Sequence, residues 1–297
     1  MNKRVTVMIF VVLGYIAANA QIENLKADIQ HLIGQRKATI GVSVIANHCK
    51  DTLNINEREH YPMQSVFKFP ITLALLAEVD NGKFKLNQQI DISANELLPD
   101  TWSPIREKYP NGTSMKLADI IRYTIEQSDN NGCDILLRLL GGTASVEKFL
   151  AKHQLRDIAV KATEADMHKE WSIQYRNWAT PVALTNLLIR FYATGNEKLL
   201  STESRDFLWR VMSETSTGAN RLKGQLPQGT IVAHKTGTSA TNDRNVTAAI
   251  NDIGIMMVPN KDPIFITVLV SNSTEDGRTN EKLIADIAKK VWNYYSK

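Results

Sequence analysis

The chain has 297 residues, 43% hydrophobic and 22% charged, with a formal net charge of +4. That is enough to bury a large core, as one big domain or two interleaved ones. There is no low-complexity run, and basic residues are no denser than the pairs Arg36-Lys37 and Lys289-Lys290, which argues against disorder and against a nucleic-acid-binding surface.

The first segment carries Lys3 and Arg4, an apolar run from Val5 to about Ile16, then Ala18-Asn19-Ala20. This is the pattern of a signal peptide over residues 1–20, cut after Ala20, and it predicts a periplasmic or secreted protein. The apolar run is short for a membrane span, so no stable membrane association is expected after cleavage. Loss of Lys3 and Arg4 takes the net charge from +4 to +2.

Downstream, Ile22, Leu25, Ile29, Leu32 and Ile33 fall on one helical face. "ATIGVSVIAN" and "DTLNIN" read as strands around a turn near Lys50-Asp51. The middle is helical: "FPITLALLAEVDNG", "LADIIRYTIEQ", and "CDILLRLL" stopped by Gly141-Gly142. Thr180-Pro181 opens another helix that runs to Gly195, and "STESRDFLWRVMSE" is a further one. "GTIVAHKTGTS", "VTAAINDIGIMMV" and "PIFITVLVSNS" return to strands, and a last helix spans about 279–295.

Runs of strands separated from runs of helices predict an α+β fold rather than a parallel sheet. The expected architecture is a two-layer α/β sandwich. An antiparallel sheet of about five strands, flanked by helices, is built from residues 21–60 and 210–297, with an all-helical region, 61–209, inserted between. A site is expected in the cleft between the two regions. Cys49 and Cys133 lie far apart and are expected to be two buried thiols rather than a disulfide. Neither they nor the six His show metal-ligand spacing, so no metal or other cofactor is expected.

Ser65 and Lys68 in "MQSVFKFP" stand three residues apart at the start of a helix. There they share a face, and unpaired N–H groups favour developing negative charge. A Lys can activate a Ser hydroxyl, but the spacing alone is not diagnostic, because "SVEK" repeats it at Ser145 and Lys148 on an ordinary polar helix face. Pro70 would fall in the second turn of the helix, and an irregular first turn is expected around Ser65. "SDN", Ser128 to Asn130, joins two apolar helices and is by itself equally readable as a cap. "HKTG", His234 to Gly237, follows the strand "TIVA", where a Lys is commonly only surface. The small Gly237 would let a flat substrate lie against the strand edge.

S-x-x-K, S-D-N and K-T-G in that order are the set carried by class A β-lactamases and penicillin-binding proteins. Along essentially the whole chain after residue 20 the sequence resembles a class A serine β-lactamase. The resemblance implies a β-lactamase/transpeptidase-like fold, β-lactam substrates, a monomer and no cofactor. By analogy Ser65 is the nucleophile, Lys68 or Glu164 of "KATEADMHKEW" its base, and Glu164 the residue that holds the deacylating water. Ser128 and Lys235 pass a proton to the leaving nitrogen. Asn130 binds the substrate's side-chain amide. Lys235, Thr236, Gly237 and Thr238 line the carboxylate side, and the backbone N–H groups of Ser65 and Thr238 form the oxyanion hole. Trp102 flanks the cleft. Arg221 in "NRLKGQLP" or Arg244 completes the carboxylate pocket, with Arg221 ranked first.

The chain departs from the commoner class A pattern. Ala162 and Asn177 stand where an Arg and an Asp usually close the Glu164 loop, His168 where an Asn is usual, and Asp134 where many relatives have Asn. With Gln64, these departures resemble the extended-spectrum PER/VEB branch, the VEB side more than the other. They leave open the loop's shape and whether His168 orients the water. A D-Ala-D-Ala peptidase would share Ser65, Lys68, Ser128 and Lys235 but not Glu164, and a β-lactam sensor that acylates and stops would normally be tethered to transmembrane helices. An esterase is a weaker alternative, without G-x-S-x-G.

Overall fold

A computed structural model describes residues 21–195 and 198–297, and the expected signal peptide lies outside them. Helix α1 covers residues 21–34. Strands β1 (Thr39–Ala46), β2 (Asp51–Ile55) and β3 (Tyr61–Pro62) lead to a 3-10 turn, Gln64–Phe67, and helix α2 (Lys68–Asp80). Then come β4 (Gln89–Ser93), α3 (Pro104–Lys108), β5 (Gly112–Lys116), α4 (Leu117–Glu126), α5 (Asn130–Leu140), α6 (Thr143–Lys152) and β6 (Ile158–Ala159). They are followed by α7 (Glu164–Lys169), β7 (Trp178–Ala179), α8 (Pro181–Tyr192) and α9 (Thr202–Ser213). Strands β8 (Val232–Thr238), β9 (Thr247–Met256) and β10 (Ile264–Ser273) and helix α10 (Gly277–Tyr295) close the chain.

The main sheet has five antiparallel strands in the order β2-β1-β10-β9-β8, so both chain ends build it and β8 is an edge. Side chains alternate across it. Ile253, Ile255 and Phe265 join the core shared with the helical region, while Val42, Ile250, Ile266 and Val268 join a second core under α1 and α10. All ten residues of β9 are buried because both faces are covered. Each large apolar side chain so buried contributes roughly 1.5–3 kcal/mol.

The inserted region is not wholly helical. It holds a three-stranded sheet, β3-β7-β6, and the hairpin β4-β5. Two-residue strands are too short to show a period of two, and β4 shows it only through Ile90 and Ile92. The boundary expected at 209/210 falls inside α9, which packs on β8, while α8 packs on β1, β9 and β10. Cys133 is buried as expected, but Cys49 is exposed in the tight turn between β1 and β2, where the polar residues Asn47, His48 and Lys50 also lie.

Helix ends follow local chemistry. Gly141, at φ 87°, ends α5, and Gly142 N–H bonds Leu137 O at 2.8 Å. Thr180 caps α8 by accepting from Ala183 N–H, and Pro181 opens it. Pro70 is the third residue of α2, not in its second turn. Its missing N–H there has no intrahelical partner to lose.

Candidate active site

The 3-10 turn delivers Ser65, and α2 begins at Lys68, so the two side chains project together into the cleft. Lys68 Nζ donates to Ser65 Oγ at 2.9 Å, Ser128 O at 2.8 Å and Asn130 Oδ1 at 2.5 Å. It also stands 2.9 Å from Glu164 Oε1, as an ion pair. Lys235 Nζ reaches Ser128 Oγ at 2.9 Å from the other side. Both lysines are fully buried, and burial, then the charge of Lys68, pushes the Lys235 ammonium well below the usual lysine range. Ser65, Lys68, Ser128, Asn130, Glu164 and Lys235 thus form one connected polar group.

Three elements position these residues. Ser128 sits at φ 60° between α4 and α5, a left-handed conformation that costs a non-glycine residue about 1–2 kcal/mol. Asp129 offsets this by accepting from Gly132 N–H and Ile105 N–H, both at 2.7 Å, and from the Ser103 hydroxyl. Gln64, at φ 47°, is held through its amide by Gln174 of the turn after α7. Asn251 of β9 donates to Pro62 O and Met63 O, fixing the turn to the sheet.

"HKTG" lies within β8 rather than beyond a strand, so Lys235 is mid-strand on the sheet edge. The need for Gly237 differs from expectation. A Cβ there would come within 2.4 Å of Met63 O, so the glycine admits the nucleophile's own turn, not only a substrate. Ser239 N–H bonds Ala249 O on β9. Backbone groups alternate along a strand, so Thr238 N–H points to the open cleft side.

Glu164 opens α7, and the side chain of Asn177, where an Asp of an ion pair is the usual pattern, closes the loop's neck, with the Lys161–Glu147 ion pair beside it. The buried Asn177 accepts from Lys161 N–H and Ala162 N–H through Oδ1, at 2.7 and 2.9 Å, and donates to Ala162 O at 2.9 Å. From α5, Asp134 accepts from Glu164 N–H at 2.8 Å and Ala165 N–H at 2.9 Å. Burial pushes its carboxyl up to about 6. His168 is exposed, and among the described residues no hydrogen bond joins it to Glu164.

Of the two arginines, Arg221 is buried against β8. It donates to Gly237 O at 3.1 Å, Asn251 O at 3.0 Å and Thr238 Oγ1 at 2.8 Å, with Glu281 on its Nε. Arg244 is exposed in the turn before β9, with its backbone N–H on Asn242. Thr236 pairs with Thr217 at 2.7 Å. Trp102 is 57% exposed and anchored by its indole N–H to Gln127 O. Motif reading noted Asn177 only as a departure from the usual pattern and missed Asn251, Gln174 and Thr217; the first three are buried polar side chains, and Thr217 is half-buried. A depression of about 1010 Å³ between α1 and the end of α10 holds none of the expected site residues.

Comparison with known proteins agrees with this chemistry. Residues 24–295 match the model of the β-lactamase enzyme family. The chain is 53% identical over 278 residues to β-lactamase VEB-1 of Pseudomonas aeruginosa, covering 94% of this chain and 92% of that protein. It is 39% identical to the extended-spectrum β-lactamase PER-1 of the same organism, covering 93% and 89%. The crystal structure of the TLA-3 extended-spectrum β-lactamase superposes with a TM-score of 0.90 at 47% identity, covering 93% of this chain and 99% of that one. With Ser65, Lys68 and Glu164 joined in one network around a buried amine, the chain belongs to the β-lactamase enzyme family, as a class A serine enzyme of the branch that includes VEB-1 and PER-1.

Proposed function

We propose that Ser65 opens the β-lactam ring of penicillins and cephalosporins, bulky extended-spectrum cephalosporins included, and that Glu164 drives hydrolysis of the resulting ester. The observation that carries this reading is Lys68 Nζ, 2.9 Å from both Ser65 Oγ and Glu164 Oε1. One amine links nucleophile and carboxylate, so the Ser65 proton can leave through Lys68 directly or through a water held by Glu164. Carbonyl oxygen charge develops between the N–H groups of Ser65 and Thr238. The Lys235 ammonium, depressed by burial, and Ser128 Oγ, 2.9 Å away, form the return path for the proton to the lactam nitrogen.

The carboxylate of the substrate meets Lys235, Thr236 and Thr238. Because Thr238 Oγ1 accepts from Arg221, its own proton is turned outward and can be given to an anion. Arg221 has four of its five donors spent on protein, so it acts chiefly by orienting Thr238, with one N–H left for the ligand. The extended spectrum rests on two relatives that carry that description and on the exposed Trp102 rim. Action as a monomer in the periplasm, as a source of antibiotic resistance, is part of the same reading.

Mass spectrometry of Glu164→Ala after a cephalosporin pulse is the test. The variant is expected to accumulate protein plus one substrate mass, while the native chain turns over many equivalents. Normal turnover by the variant would remove Glu164 from the mechanism. A single stoichiometric burst from the native chain would favour the peptidase or sensor.

A further inference from the structure

His234, Thr236 and Thr238 occupy alternate positions of β8, so they share the face opposite Lys235. Each meets a partner on that face. Thr238 bonds Arg221 and Thr236 bonds Thr217. His234 Nδ1 lies 2.9 and 3.0 Å from the two oxygens of Asp252 on β9, and both residues are fully buried. The first two rungs face the substrate carboxylate; the third lies deeper and does not.

The third rung is nevertheless tied to the first. Asp252 Oδ2 accepts the Leu222 N–H at 3.2 Å, and Leu222 follows Arg221 in the chain. Arg221 itself donates to Asn251 O, the carbonyl next to Asp252. Room for the imidazole comes from Gly254, directly across from His234 in the ladder, where a Cβ would come within 2.8 Å of the His234 Cβ. Among the described residues His234 Nε2 has no partner, and the ring's one polar attachment is to Asp252. A polar ring buried with one of its two nitrogens unsatisfied costs stability, and such groups persist where they hold something in place.

We infer that the buried His234–Asp252 pair is a positioning element of the carboxylate pocket. His234 N–H fixes the Asp252 carboxylate, Asp252 holds Leu222 N–H, and the backbone so pinned sets Arg221 and through it the outward hydroxyl of Thr238. This rests on the reading of Arg221 and Thr238 as the substrate-carboxylate pocket.

The experiment compares a chromogenic cephalosporin carrying its free carboxylate with the neutral methyl ester of the same compound. kcat and KM are measured for the native enzyme, His234→Ala, His234→Asn and Arg221→Ala. Losing one oriented hydrogen-bonded group predicts about a tenfold fall in kcat/KM for the acid in His234→Ala, carried by KM. The acid-to-ester ratio is expected to fall with it, and His234→Asn, which keeps an N–H for Asp252, is expected to restore most of the ratio. Equal losses on acid and ester, or an unchanged acid rate, would overturn the inference. If His234→Ala does not fold, His234→Leu against His234→Asn gives the same comparison. Arg221→Ala separates the two levels. An unchanged ratio there removes the carboxylate reading, and this inference with it. A depressed ratio there beside an unchanged ratio in His234→Ala removes the inference alone.

Discussion

The two walls of the cleft are built differently. The helical wall gathers Ser65, Lys68, Ser128, Asn130 and Glu164 into side-chain contacts around one amine. The sheet wall presents a strand edge, with its side chains held from behind by Arg221, Thr217 and Asp252. One wall concentrates reactive groups, and the other sets distances. Chemistry should therefore fail abruptly when the first is cut, while recognition should loosen by degrees when the second is.

Ser65→Ala is the sharpest test of that contrast. Turnover is expected to fall on the order of 10⁴-fold or more. Equilibrium binding of an intact cephalosporin, measured by calorimetry, should stay within a few-fold. Loss of binding on the same scale as turnover would mean that the walls are not separable.

Asn177→Ala attacks the support of Glu164 without touching substrate. It leaves the part-buried Lys161 N–H and the buried Ala162 N–H without an acceptor, at a cost of about 2–3 kcal/mol. The thermal midpoint should drop by roughly 5 °C or more, and deacylation should slow more than acylation in stopped-flow traces. Equal slowing of both steps would place the damage outside the Glu164 loop.

A smaller effect comes from Asp134. Its carboxyl is raised from 3.8 to about 6, mainly by burial. A raised acid binds its proton more tightly in the folded state. Its contribution is therefore full below about pH 4 and lost as pH rises through about 6, by roughly 1–3 kcal/mol. Urea midpoints of the native chain against Asp134→Asn should diverge across that window, the native chain losing ground as pH rises. Parallel curves would refute the assignment.

The smallest effect is expected at Trp102, which is 57% exposed and whose indole N–H is held by Gln127 O. Trp102→Ala should change KM by about threefold for bulky cephalosporins and less for small penicillins. Equal changes for both would deny Trp102 a part in discriminating size.

How much of this was legible in the sequence follows the same division. The helical wall was, because each motif keeps its chemistry within a few adjacent residues: Ser65 with Lys68, and Ser128 with Asn130. The strands were legible because the main sheet is buried enough to show continuous apolar runs. The supports were not. Gln64 finds Gln174 from 110 residues away, and Asn251 finds Pro62 from 189. No local pattern encodes such a pairing. Gly237 was noticed for the right size but the wrong neighbour, because sequence gives no sign that the nucleophile's turn lies against it.

The neutral closure of the Glu164 loop has a further consequence. Mobile ions screen a bond between charges, but hardly a hydrogen bond from a buried amide. The Asn177 bonds should keep the same grip in dilute and in concentrated salt, while the partly exposed Lys161–Glu147 ion pair beside them should loosen. The Asn177 closure also lacks the gradual weakening of an ion pair pulled apart: its three backbone bonds are made by one side chain and must be released together. The loop is therefore latched rather than sprung. Any release of the neck would then come as one whole event rather than by degrees.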